Sequence, residues 1–333
     1  MTALTDGLAI GPIQLPNRVV LAPLAGIGNW WVRLQARRHG AGLVVSEMVS
    51  SFAVHYRNAR THHELLRIDP REHIGGPVAI QLFGADPDVM RSAASSVAAA
   101  GADMIDINMG CPVPKVCRTG AGAALLADGD RAVALARAAA RGSGLPVTVK
   151  LRSGWGYGAR DGIELAHRLV REAGVAAIAV HPRPATAAHR GRPDYALVAE
   201  LVRTLDAPVI LSGGLDSAAA VHEAYETTGA AAVMLARGAL GNPWLFEEVL
   251  GVRAGPPTVA EVLAELDWAI DCAAQHIGTP RAGRYLRRFY PWYVERLGLP
   301  RSGARALQNA LVQVDSFAAV RELLDAALVA QPA

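Results

Sequence analysis

Eight short apolar runs, each followed by a helix-length segment, set the strongest limit on what this chain can fold into. They fall at residues 19–22, 43–46, 78–82, 104–108, 147–151, 177–181, 209–212 and 232–235. Most are rich in Val, Ile and Leu with little alternation, as strands read when a parallel sheet is covered on both faces. The stretches at 90–100, 131–141, 162–173, 195–204 and 217–228 are Ala-rich or amphipathic and long enough for helices. Alternation that closes at eight units predicts an α/β fold of the (β/α)8 TIM-barrel type; an open doubly wound sheet would fit six strands better. Residues 10–18 read as a small hairpin closing the bottom of that barrel.

Polar residues cluster where each run ends. Pro23 to Gly26, Glu47, Gln81, Asn108 with Cys111, Lys150 with Arg152, His181 with Arg183, then Ser212, Gly213 and Gly214, and finally Ala236, Arg237 and Gly238 all lie at or just past a strand's carboxyl end. In a barrel these converge on one rim, where barrel active sites are built. Singly, each is better explained as structural; eight on one rim are not. Glycines after the seventh strand, paired with Arg237 after the eighth, favour a phosphate site, because backbone N–H groups approach an anion closely there.

The fourth run ends in a stiffened turn. Asp106 and Asn108 interrupt its apolar residues, Gly110 permits a bend, and Pro112 and Pro114 stiffen the backbone beyond it, so Cys111 sits on a shaped loop. A buried cysteine packing as a small hydrophobe is the plainer reading of that residue alone. With Cys117 and Cys272 it makes three, an odd number with no C-x-x-C pair, which points to a reduced, cytoplasmic protein without structural disulfide, zinc or other metal. No apolar run reaches the roughly 18 residues of a membrane helix, so no membrane partner is expected. Of 33 basic residues only Lys115 and Lys150 are lysine. A chain that otherwise uses arginine but keeps these two has reason to need a compact ammonium there.

From about residue 255, after Gly255, Pro256 and Pro257, only helical patterns remain. This divides the chain into a catalytic barrel at 1–254 and a small C-terminal helical bundle at 255–333. The bundle carries Arg281, Arg284, Arg287 and Arg288 at helical spacing, followed by aromatics from Phe289 to Tyr293. Such a face suits a nucleic-acid backbone. A solvated basic helix with inward-packed aromatics accounts for it equally well.

A barrel with a phosphate site, no metal cluster and no nucleotide fingerprint favours flavin mononucleotide, FMN. Reduced flavin is negative near N1 and O2, so a cation from the middle strands belongs beside it, and Lys150 and His181 are the candidates. Gln81 offers both donor and acceptor to the ring's amide edge. Pro23, Leu24 and Ala25 are small or apolar enough for close contact with the ring. Cys111 then leans over the substrate as a neutral thiol that donates a proton.

The run Asp106-Ile-Asn-Met-Gly-Cys-Pro-Val-Pro-Lys-Val116, with Gly120-Ala-Gly-Ala-Ala-Leu-Leu126 behind it, resembles the signature of the flavin-dependent tRNA-dihydrouridine synthases, in particular their bacterial B-type, NifR3-like branch. The similarity extends to Asn17–Gly26, Gln81–Gly84, Val147–Arg152 and Arg237–Phe246. It implies an FMN-bound barrel with a helical tRNA-binding tail, working as a monomer, that uses NADPH to reduce a uridine C5=C6 bond. Carried over by position, Cys111 is the proton donor to C5 and Asn108 positions substrate. Pro23, Leu24, Ala25, Gln81, Lys150, His181, Ser212, Gly213, Gly214, Ala236 and Arg237 hold FMN. Apart from that carry-over, the basic residues Lys115, Arg152, Arg183, Arg284, Arg287 and Arg288 are expected to face RNA. The sequence departs from the family pattern around Asn29, at Ala185, where a basic residue is usual, and at Ser212 and Ala236. A flavin barrel reducing a free pyrimidine or small enone, and a non-catalytic tRNA-binding chaperone, are the competing expectations.

Overall fold

The computed structural model describes residues 2–329. An antiparallel hairpin, β1 (Leu8–Ile10) and β2 (Ile13–Leu15), comes first. Eight strands come after it: β3 (Val19–Leu21), β4 (Leu43–Ser50), β5 (Val78–Phe83), β6 (Met104–Met109), β7 (Val147–Arg152), β8 (Ala177–His181), β9 (Val209–Ser212) and β10 (Ala232–Leu235). They pair in parallel and in sequence order, and β10 closes onto β3, which makes the barrel that the eight apolar runs predict. Val20, Val45, Ala79, Met104, Ala179, Ile210 and Met234 fill its interior together with Ile10 and Leu15 of the hairpin, which therefore plugs the bottom.

The helices are α1 (Trp30–Arg38), α2 (Ser51–His55), α3 (Pro87–Ala99), α4 (Pro114–Cys117), α5 (Gly129–Ser143), α6 (Asp161–Ala173), α7 (Tyr195–Thr204), α8 (Ala218–Thr228) and α9 (Trp244–Val249). Asp86 and Asp128 cap α3 and α5 by accepting from backbone N–H groups of the first turn. The longer helices cover the barrel with Val, Leu and Ala faces that meet the outer faces of the strands. Strand β4 runs four residues beyond its apolar run. A register irregularity between Val45 and Met48 bends it at the rim and turns Ser46 and Glu47 toward the mouth.

Beyond residue 258 the chain is helical: α10 (Val259–Ile277), α11 (Thr279–Leu286), α12 (Tyr290–Val294), α13 (Arg301–Leu311) and α14 (Phe317–Val329). A reciprocal cap between Thr258 and Glu261 starts α10. The apolar core of this segment includes Trp30, Trp31, Val32 and Leu34 of α1 and Trp244 of α9 as well as Leu266, Ile270, Phe289 and Tyr293. Barrel helix and tail thus share one core. Polar pairs cross the seam: Gln35 donates to both Glu265 and the Tyr293 hydroxyl, and Arg38 forks onto Glu265, while on the barrel side of α1 Arg33 makes a two-pronged ion pair with Glu72. No helix among the described residues is long and apolar enough to cross a membrane.

Candidate active site at the barrel mouth

A chain of buried side chains runs across the upper barrel. Thr148 Oγ1 and Gln81 Nε2 both donate to Asp106, each at 2.6 Å. Asn108 Nδ2 donates to Gln81 Oε1 at 2.9 Å. Asn108 Oδ1 in turn accepts the backbone N–H groups of Gly110 (3.2 Å) and Cys111 (2.9 Å). Burial pushes the Asp106 carboxyl up to about 6 against the pull of its two donors. Once ionised it is acceptor-only, so it fixes which way Gln81 points, and Gln81 fixes Asn108. Asp106, Thr148 and Ser46, whose Oγ accepts from Gln81 N at 3.0 Å, escaped the sequence reading as site residues. Their signal was present as polar side chains inside apolar runs.

Cys111 is half-buried on the loop after β6. Burial raises its thiol above the ordinary range, so it is protonated at neutral pH. The loop is braced from three sides. Ala123 N donates to Cys111 O at 3.0 Å, Cys117 Sγ donates to the same oxygen at 3.3 Å, and Arg152 Nε donates to Gly110 O at 3.2 Å. Gly122, at φ +63°, lies where a Cβ would come within 2.6 Å of Cys111 O, so only glycine lets the loop fold back this closely.

Lys150 reaches the mouth from β7 beside Arg152. Burial and that neighbouring charge lower it to about 8. Burial also depresses His181, helped by Lys150, Arg152 and Arg183, and holds the imidazole neutral. Arg183 Nη1 lies 2.9 Å from His181 Nε2; since guanidinium only donates, Nε2 accepts and the ring proton sits on Nδ1. Of the two expected cations only Lys150 therefore carries charge. Arg152 and Arg183, expected to face RNA, are buried at 4% and 7% exposure. Arg152 ties Gly110 O to Pro184 O and Ala188 O, and Arg183 holds Gly191 O, so neither extends outward as a free guanidinium.

After β9, Gly213 (φ +98°) and Gly214 (φ +83°) turn the chain through conformations that suit glycine, and a Cβ on Gly213 would strike the His181 ring at 2.4 Å. Tyr195 OH donates to Gly213 O at 3.1 Å and secures the turn. Ser212 is buried, while Arg237 is exposed across the mouth after Ala236. Burial, and after it the charge of Arg237, push down both Arg183 and His189, which stacks on His181 at 5.8 Å. Lys150, Arg152, Arg183 and Arg237 thus share one rim, and the nearest carboxylate that offsets any of them is Asp106 below. A site with this imbalance favours an anion.

The first rim loop is gripped by the tail. Leu24 packs into the core, while Pro23 and Ala25 stay at the surface. Gly26 O accepts from Tyr285 OH (3.1 Å) and Arg288 Nη1 (3.2 Å), Gly26 N donates to Glu47 (2.8 Å), and Asn29 Nδ2 donates to Tyr285 OH (2.8 Å). The unexpected Asn29 is thus a partner of the tail. Ala185, the other conspicuous departure, is buried, and its N–H donates to Gly154 O. Of the remaining tail arginines, Arg284 is exposed and Arg287 pairs with Asp315. Lys115 is exposed on the Cys111 loop.

Fold and site define a closed parallel barrel with an anion-seeking mouth, a protonated thiol on one rim loop and a helical tail fastened to another. Among solved structures it is similar in fold to a morphinone reductase mutant in complex with tetrahydroNAD (TM-score 0.58, 16% identity, covering 79% of this chain and 94% of that one). The family model for dihydrouridine synthase (Dus) matches residues 20–331, and the chain belongs to that family. It is 33% identical to tRNA-dihydrouridine synthase B of Xanthomonas campestris, covering 98% of both chains, and 36% identical to that of Pseudomonas aeruginosa, covering 94% of both. A probable tRNA-dihydrouridine synthase of Mycobacterium tuberculosis is 37% identical over 96% of this chain and 85% of its own length.

Proposed function

We propose that this protein is an FMN-dependent tRNA-dihydrouridine synthase that uses NADPH as reductant. The observation that carries the reading is the line from Asp106 through Gln81 and Asn108 to the Cys111 N–H, which aims a protonated thiol over a cation-lined mouth. The donor set fits FMN. The glycine turn at Gly213 and Gly214 lies on the loop next to Ala236 and the exposed Arg237, a combination that suits its phosphate, and Lys150 suits an anionic ring edge. The Gln81 amide, fixed between Asp106 and Asn108, retains a second N–H and a second lone pair, which suits that edge.

Bound flavin supplies the hydride that adds to uracil C6. Cys111 holds the proton that completes C5, and its raised pKa keeps that proton available at neutral pH. Asn108 keeps the Cys111 loop in register, and Arg152 braces it from β7. Lys115, Arg284 and Arg288 are placed for RNA phosphates, and the target uridine must be extruded from the tRNA to reach the mouth. A substrate of this kind places the protein in the cytoplasm, where it works as a monomer in this reading.

Purified protein reconstituted with FMN should convert uridine to dihydrouridine in unmodified tRNA when NADPH is added, read by nucleoside mass spectrometry. Product from free uridine at a comparable rate, or no fall in activity with salt, would overturn the assignment in favour of a small substrate. Deleting the tail is a poor test, because it strips Trp30 and Trp31 of their cover.

A further inference from the structure

Among the described residues seven large hydrophobic side chains are strongly exposed, and five of them, Phe52, Tyr56, Val113, Trp155 and Tyr157, lie on rim loops at the barrel mouth. The other two, Ile74 and Val252, lie elsewhere. Phe52 and Tyr56 belong to α2 and its end, after β4; Trp155 and Tyr157 come after β7. Since the strands run β4, β5, β6, β7 around the barrel, the two aromatic pairs lie on opposite sides of the Cys111 loop that leaves β6. We propose that these pairs are stacking shelves for unpaired nucleobases on either side of the reacting nucleotide.

The shelves are built features. Phe52 and Tyr56 stack on each other at 6.3 Å and 27°, and Ser50 Oγ caps the helix that carries them. Trp155 is pinned through its backbone: its N–H donates to Asp161 at 3.0 Å and its carbonyl accepts from Thr186 at 3.0 Å. Tyr157 is 79% exposed and Tyr56 72%, an unfavourable state for large rings unless something covers them. The cover favoured here is nucleic acid. Arg57 follows Tyr56 directly, and Lys115 lies on the Cys111 loop between the two pairs; both are exposed and without a carboxylate partner among the described residues, so rings and cations are interspersed as a sugar–phosphate strand with splayed bases requires. An extruded uridine leaves its neighbours partly unstacked, and aromatic faces replace the lost stacking without demanding a sequence. The inference rests on the tRNA reading of the site and adds residues to it.

The test uses the full-length, FMN-loaded protein with unmodified tRNA. The double variants Phe52→Ala/Tyr56→Ala and Trp155→Ala/Tyr157→Ala should each raise the Kd for tRNA and the KM about tenfold, with kcat at saturating tRNA changed little. Bound flavin content, read from the absorbance spectrum, serves as the folding control. Replacement by Phe at Tyr56, Trp155 and Tyr157 should restore most of the affinity, because a ring face suffices. If a double variant loses its flavin, the single changes Tyr56→Ala and Tyr157→Ala carry the same comparison. Unchanged Kd in variants of a protein that still makes dihydrouridine overturns the shelves and leaves the functional reading intact. Affinity that falls but is not restored by Phe also overturns them. A parent that makes no dihydrouridine, yet binds tRNA in a shelf-dependent way, overturns the functional reading and sustains the shelves.

Discussion

The barrel mouth and the packing around helix α1 both bury cations, and they treat them in opposite ways. On the barrel side of α1, Arg33 is 1% exposed and meets Glu72, itself 0% exposed, through two guanidinium nitrogens, while its remaining donors reach Gly28 O and Arg67 O. Arg38 likewise forks onto Glu265. At the mouth, burial lowers the proton affinity of Lys150, Arg152 and Arg183, and a neighbouring cation adds to it in each case (Arg152, Arg183 and Arg237 in turn), with Asp106 as the compensating carboxylate for Lys150 alone. Compensated charge holds a structure together. Charge left in excess belongs to whatever binds, and that difference separates scaffold from site without reference to any relative.

Four experiments probe this contrast. The largest effect is expected at the thiol: Cys111→Ala should keep the flavin and lose about 10²–10⁴ in turnover, measured by single-turnover dihydrouridine formation. Under α1, Glu72→Ala strands a buried guanidinium and should cost about 3–5 kcal/mol in chemical denaturation. The double change Arg33→Met/Glu72→Leu should lose far less, and an equal loss would mean that α1 is not held by compensated charge. The mouth makes a prediction with two signs. Because Lys150 is lowered to about 8, the ligand-free fold disfavours its charged form, so this group's contribution to stability rises with pH between about 8 and 10.5. FMN affinity should fall over the same interval, by up to about tenfold per pH unit, and Lys150→Met should flatten both profiles. The smallest effect is expected from Tyr285→Phe, which removes one hydrogen bond to Gly26 O and one from Asn29; a loss of about 1 kcal/mol, read as a few-fold rise in KM for tRNA, would tie the rim loop to the tail.

Much of this was legible in the sequence because it depends on short-range pattern. Apolar runs bounded by polar residues fixed the strands and rim, and Gly110 with two prolines marked the Cys111 loop. The features that escaped depend on direction and partners. Arg152 and Arg183 look like any rim arginine in the sequence, and only the folded loops at 184–191 show carbonyls turning them inward. His181 reads as a candidate cation until three surrounding charges are placed around it. Helix α1 hides its double duty best: Arg33, Gln35 and Arg37 are polar yet buried, so its sequence resembles a surface helix while almost all of it lies inside.

That shared core also constrains how the protein is made. Trp30 and Trp31 leave the ribosome early, but the helices that cover them begin at residue 259. Roughly 230 more residues must be added first, which takes about ten to fifty seconds at ordinary rates of synthesis. For that interval the tryptophan pair has only its barrel-side neighbours, Arg67, Arg71 and later Trp244, and the tail's arrival completes its cover.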